Sequence, residues 1–154
     1  MRRDQCIVNR SFIEAEQQHL NLPSEYRRQR QMCIRDTAKD ADKHPSVLHV
    51  EWADPVMCAG HWVPEMTEMA GGTNSFGDKD TGTLEVDWDE IVARQPEIII
   101  MMQCGFDVKR ALEDMPLMKS KGGWASLPAV KNNQVYVVDA GDYTSRSGPR
   151  LVTG

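Results

Sequence analysis

The sequence predicts an α/β protein, a three-layer sandwich with a mainly parallel sheet. Three observations point there. Val47–Gly72, VLHVEWADPVMCAGHWVPEMTEMAGG, reads as one strand, loop and helix unit. The stretch from Glu97 to Met115 repeats that order, and its opening EIIIMM is a nearly continuous apolar run of strand length, as expected of a strand covered on both faces. Val135–Val138 supplies a further short β-branched run. Strands separated by helices of this length imply right-handed βαβ crossovers and helices on both faces of the sheet.

In the first unit, Val47 to Trp52 suits a strand. Val63, Met66 and Ala70 recur at helical spacing, Pro64 sits where a first-turn proline is tolerated, and Gly71-Gly72 supplies a left-handed stop, giving a helix of about two turns. Cys58, Ala59, Gly60, His61 and Trp62 form the predicted loop between them, at the carboxyl end of the strand, where open α/β sheets bind ligands. GGTNSFGDKDTGT is turn chemistry and is expected as a surface loop; it contains no G-x-x-x-x-G-K-[ST] phosphate loop. Leu84–Val86 reads as a short extended piece. Asp87 then opens a helix with Trp88, Ile91 and Val92 on its apolar side, and Pro96 closes it. Asp87 and Glu90 are spaced as a capping box, which gives Glu90 a structural role.

After EIIIMM comes a second strand-to-helix loop, Gln103–Phe106. Asp107 caps a helix with Val108, Ala111, Leu112 and Met115 inward before Pro116 ends it. Trp124 and Leu127 pack a connecting segment, Asn132-Asn133 turn the chain, and Val135–Val138 leads to a third loop, Gly141–Ser147. Another helix start is expected at Ser147-Gly148-Pro149-Arg150. In a parallel sheet the three loops Cys58–Trp62, Gln103–Phe106 and Gly141–Ser147 share one edge.

Composition narrows the function. The 154 residues are 40% hydrophobic with a mean hydropathy of -0.52, enough for one packed domain. No run of 18 or more apolar residues occurs, and MRRDQCIVNRSF lacks the apolar core of a signal peptide. Residues 1–44 hold nine Lys/Arg against seven Asp/Glu and residues 45–154 nine against sixteen, a net +2 followed by -7. The acidic globular part argues against nucleic-acid binding, which needs a basic face. Cys6, Cys33, Cys58 and Cys104 show no C-x-x-C spacing, and Cys58 and Cys104 are expected as buried, inert thiols.

AGHWVPEMTEMAGG, with Gln103-Cys104-Gly105-Phe106-Asp107 and LPAVKNNQVYVVD downstream, closely resembles the cobalamin-type periplasmic binding proteins, the substrate-binding components of ABC importers for cobalamin, siderophores and haem. The resemblance runs from about Pro45 to the last residue in the order of a carboxyl-terminal lobe. It implies one lobe of a two-lobed helical-backbone binding protein, periplasmic or membrane-anchored outside the cytoplasm, monomeric when complete, with no enzymatic activity and no cofactor. Residues 46–154 are expected to form that lobe, ending before its final helix, and 37–45 a linker. Residues 1–36 read as a segment outside the family, because RRQRQMCIRD looks like the translated adaptor seam at the ends of some metagenomic assemblies. The alternative is a partly helical lead-in matching the helix that joins the lobes.

The predicted loops offer flat apolar surface with few convergent titratable groups, which favours binding over catalysis. The resemblance implies cobalamin or a related corrinoid as ligand, with Trp62, Phe106 and Tyr143 against its conjugated face. Gly60, His61, Cys104 and Gly105 complete the expected contacts. Trp62 also reads as an apolar staple before its helix, and His61 as a loop histidine with ordinary hydrogen bonds. Through the match over EIVARQPEIII, Glu90 stands where the family's exposed glutamate pairs with arginines of the membrane permease. Leu84 occupies the place of a ligand-contacting tryptophan in the cobalamin binder of enteric bacteria, so an iron-siderophore or haem is the alternative ligand. A metal chaperone or sensor built on Cys58, His61 and Cys104 is a further alternative. A nucleotide enzyme lacks its G-x-G-x-x-G turn.

Overall fold

Every layer is arranged around β1, Ser46–Ala53, which pairs with three other strands. The computed structural model describes residues 42–145 together with Asp36 and Ala38. The segment 1–36, apart from Asp36, and the helix start expected at Ser147 to Arg150 lie outside the described residues. After β1 come β2 (Val56–Cys58), α1 (Val63–Met69), β3 (Thr73–Asn74), β4 (Leu84–Glu85), α2 (Trp88–Arg94) and β5 (Ile98–Met101). The chain continues through α3 (Val108–Glu113), α4 (Met115–Ser120), a 3₁₀ turn at Trp124–Ser126, α5 (Pro128–Lys131), β6 (Val135–Val137) and α6 (Ala140–Tyr143).

The sheet runs β4-β2-β1-β5-β6, with β3 beside the start of β1. β5, β6 and β3 join in parallel and β2 and β4 antiparallel, so three of the five pairings are parallel. Along β5, Ile99 and Met101 enter a core with Leu48, Val50, Ile91, Met118 and Leu127, under α2 to α5. Ile100 packs instead against a smaller cluster of Ala59, Val63, Met102 and Ala140, which involves α1 and α6. Two helical layers therefore enclose the sheet, as the period-two burial of a covered strand requires.

Local chemistry sets most boundaries. Pro64 lies in the first turn of α1, and Gly71 takes φ +86° just after it. Asp87 and Asp107 cap α2 and α3, accepting from the amides of Asp89 (3.1 Å) and Arg110 (2.8 Å).

Several expectations change. Cys58 is not in a loop but in β2, because Asp54-Pro55 reverses the chain and Val56 and Cys58 then alternate inward. Burial pushes the Cys58 thiol up to about 12, so it is an inert core residue. Cys104, by contrast, is exposed. Pro116 does not only follow a helix; it opens α4 in the first turn, where no amide donor is needed, and Pro128 does the same for α5. Glu90 does not complete a capping box. Its carboxylate accepts from Arg94 Nη2 at 2.8 Å, one turn along α2. Arg94 also donates to the Ser75 carbonyl at 2.5 Å and lies 4.2 Å from the Phe76 ring centroid, tying α2 to the strand beyond α1. Among the described residues, no helix is long and apolar enough to cross a membrane.

His49, on β1, is 7% exposed. Its Nδ1 lies 3.1 Å from Asn74 Oδ1 and its Nε2 3.4 Å from Thr67 Oγ1. Desolvation, only partly offset by the Asn74 hydrogen bond, pushes its pKa down to about 4 from 6.5. The unfolded chain therefore takes up a proton at His49 below pH 6.5 that the folded chain refuses until about pH 4. The stabilisation is complete above pH 6.5 and is lost on acidification through that window, by about 1.4 kcal/mol per pH unit and about 3 kcal/mol in all. Urea denaturation of wild type and His49→Gln between pH 7 and 4 should show a shallower loss for the variant; parallel curves would contradict the assignment.

Candidate ligand-binding edge

The first loop, Ala59–Trp62, is fused to the turn-rich segment that follows β3. Gly60 is buried, and a Cβ there would lie 2.1 Å from the Gly82 carbonyl oxygen and 2.4 Å from that of Thr81. His61 takes φ +55° and donates its amide to Thr81 O at 2.7 Å, leaving its ring exposed and 5.7 Å from the Trp62 ring. Trp62 packs on the smaller core cluster, and its indole N–H donates to Thr144 O at 3.1 Å. Thr83 Oγ1 donates to Glu51 Oε2 at 2.6 Å, so the segment predicted as a plain surface loop forms part of the edge.

The second loop begins at Gln103, whose side chain is fully buried. Its Nε2 donates to Asp114 Oδ2 at 3.4 Å, and its Oε1 has no partner. Cys104 and Gly105 are exposed, and their amides donate to Glu51 O (3.2 Å) and Ser145 Oγ (3.2 Å). Gly105 has φ +76°, with open space where a Cβ would point. Phe106 is half-buried between Trp52, at 5.4 Å between ring centroids, and the Arg110 guanidinium at 4.4 Å. A hydrogen bond from Arg110 to Asp114, 2.9 Å, holds that guanidinium still more firmly protonated than usual.

The third loop is partly helical. Asp139 accepts from the Asp142 amide at 3.0 Å and starts α6, so Gly141 to Tyr143 form a helical turn, and Tyr143 is half-buried at its end. Ala140 donates to Phe106 O at 3.1 Å. With the Trp62–Thr144 and Gly105–Ser145 bonds, this joins all three loops at the carboxyl end of the sheet.

Glu90 stands apart, in the first turn of α2, half-exposed and paired with Arg94. At the start of α2 a cavity of about 470 Å³ is lined by Asp54, Glu85, Asp87, Trp88 and Lys121 among others. Among the described residues, no group of three or more His, Cys, Asp or Glu is placed to hold a metal ion. Cys58 lies in the core, away from the set proposed with His61 and Cys104. Two features of the edge were missed from sequence. Trp52 was read only as the end of a strand, since a register shift between Val50 and Trp52 hides its direction. Glu51 and Thr83 meet across 32 residues and leave no local signal.

The two glycines give a direct test of this geometry. Gly60→Ala should cost about 3 kcal/mol or more in urea denaturation, because two backbone carbonyls must move. Gly105→Ala meets only the left-handed penalty and should cost about 1–2 kcal/mol. Equal losses would mean that the first loop is not packed against the Thr81–Gly82 segment.

A family model described as periplasmic binding protein matches residues 14–141. The vitamin B12-binding protein of Vibrio cholerae is 30% identical over 97 residues, 62% of this chain and 32% of that protein. An uncharacterised ABC transporter substrate-binding lipoprotein of Bacillus subtilis is 32% identical over 90 residues, 58% of this chain and 26% of that one. The crystal structure of a possible iron-binding, periplasmic solute-binding protein from Staphylococcus epidermidis superposes with a TM-score of 0.64 at 26% identity, covering 83% of this chain and 48% of the other. The chain thus spans about a third or less of the length of these curated relatives and about half of the solved neighbour.

Proposed function

The chain belongs to the periplasmic binding protein family, and on that premise we propose that it forms the carboxyl-terminal lobe of an ABC importer's substrate-binding component, working outside the cytoplasm with a membrane permease. Its ligand in this reading is cobalamin or a related corrinoid. The observation that carries the reading is the hydrogen-bonded edge, where His61 and Trp62 on one side and Phe106 on the other flank backbone tied between the loops. Gly60 lets the backbone approach the Thr81–Gly82 segment closely, Gly105 leaves the edge open beside Phe106, and Cys104 and Tyr143 complete the contact set. Such a surface suits a large, flat, conjugated ligand, which needs apolar area and a few fixed polar partners in place of a catalytic base.

An iron chelate or haem is the second reading, favoured by Leu84 in place of a tryptophan and by the iron-binding description of the Staphylococcus epidermidis neighbour. Calorimetric titration with cyanocobalamin and with haemin separates the two. Phe106→Ala should weaken whichever binds by about 0.5–1.5 kcal/mol beyond the lost burial. An unchanged affinity would remove Phe106 from the site.

Glu90 is proposed as the permease-docking carboxylate. Glu90→Gln breaks only an exposed pair with Arg94, so stability should change by less than about 0.5 kcal/mol and ligand affinity not at all. Association of the two-lobed protein with its permease should weaken at low salt and converge with wild type at high salt. Equal association at both would leave Glu90 as the partner of Arg94 alone.

A further inference from the structure

Trp52, Met69 and Leu117 are the exposed large apolar side chains among the described residues, and Trp52 is 39% exposed. Met69 ends α1 and Leu117 lies on α4, whereas Trp52 stands at the carboxyl end of β1, beside the loop that carries Phe106. The other tryptophans have packing roles. Trp124 is buried and stacked on Trp88 at 6.1 Å, Trp88 donates its indole N–H to Gly122 O at 2.5 Å, and Trp62 is fixed to Thr144 O. An indole still 39% exposed where the loops converge forgoes burial open to the other tryptophans, so its position calls for an occupant.

We propose that Trp52 is a ligand-contacting residue, its indole the flat surface on which a large conjugated ligand lies and Phe106 the wall beside it. The inference rests on the reading of this edge as the site for such a ligand. The Trp52 and Phe106 rings are tilted by 51°, so together they form a corner and not one continuous plane. A planar ligand stacked on one ring therefore meets the other obliquely, in the offset or edge-to-face range that aromatic pairs favour.

The corner is held from behind. The Arg110 guanidinium lies over the Phe106 ring, and Asp114 fixes Arg110 through Oδ1 while its Oδ2 accepts from the fully buried Gln103. The position of Phe106 is thereby anchored to the core before any ligand arrives. A surface ordered in advance loses less entropy on binding than one that must be assembled. Since the charge of Arg110 is already met by Asp114 and Glu113, the corner selects for shape and apolar area and not for an anionic ligand.

The test is calorimetric titration of the full 154-residue chain with cyanocobalamin and with haemin, for wild type, Trp52→Ala and Trp52→Phe. Whichever probe binds wild type should bind Trp52→Ala at least fivefold more weakly and Trp52→Phe at an intermediate affinity. Thermal midpoints should fall only modestly, since the indole is 39% exposed, and they report any loss of Trp52–Phe106 packing separately from the affinities. Wild-type affinity in Trp52→Ala would overturn the role of Trp52 while leaving the site itself standing, and would mean that something other than the ligand covers the indole. Failure of wild type to bind either probe would instead overturn the reading of the edge as a site for conjugated ligands, and this inference with it.

Discussion

The constraint on which the rest depends is the division of one edge of β1 between two strands. β5 occupies the opposite edge from Val47 to Val50, while β3 pairs only with Ser46 and Val47, and β2 takes over from Val50 to Ala53. The reversal at Asp54-Pro55 brings β2 back antiparallel along the far half of this edge, and since a strand offers each backbone group once, β3 is left only the near end. The chain between them is driven out at the carboxyl end of the sheet, where it becomes the first loop and α1. His49 sits at the junction. Its carbonyl accepts from Ala59, and its imidazole spans from Asn74 of β3 to Thr67 of α1. A buried neutral histidine is the polar filler of a gap that two short strands cannot close.

Much of this was legible in the sequence wherever the determinant is local. Asp87 and Asp107 cap the helices they were expected to cap, Pro64 and Gly71 bracket α1, and EIIIMM supplies an interior strand. Elements set by distant partners were not legible. β2 has three residues, too few for a period, and only Asp54-Pro55 hinted at a reversal. Pro116 reads equally as a stop or a start, since proline is tolerated just after one helix and in the first turn of the next. Asp139 followed by Ala140-Gly141 looks like a loop until its carboxylate is seen on the Asp142 amide. Within the site, the positions of Trp62, Gly105 and Phe106 followed from their loops, but the Trp52–Phe106 corner is a contact across 54 residues that no local pattern records.

The charges of α2 show how one residue can read in two ways. Glu90 was open to assignment as a cap by its spacing from Asp87, yet the cap needs only the Asp87 carboxylate, and Glu90 is left to Arg94. Exposed i,i+4 pairs contribute little to stability, so that pairing leaves Glu90 free to exchange one guanidinium for another. Arg94 is more firmly held, by Ser75 O and the face of Phe76 as well. Asp89 and Glu90 also stand in the first turn, where the helix dipole favours acidic groups. The acidic charge at this end of α2 is thus favoured by the helix dipole as well as by Arg94, which the proposed docking role of Glu90 requires.

The edge itself combines a backbone fixed by hydrogen bonds with aromatic side chains on its surface. Each of its loops is tied to another by backbone donors or acceptors: His61 to Thr81, Trp62 to Thr144, Gly105 to Ser145 and Ala140 to Phe106. None of these bonds uses a ring face, so the aromatic surface is positioned without being consumed by the positioning. The polar complement is equally prepared. Glu51 is held by Thr83 through its carboxylate and by the Cys104 amide through its carbonyl, joining β1, the segment before β4 and the second loop at one residue. A ligand with a conjugated face and amide or hydroxyl groups at its rim would meet apolar rings at Trp52, Trp62 and Phe106, with Glu51 between the loops that carry them. If the edge binds as proposed, recognition turns on the outline of the ligand more than on its charge.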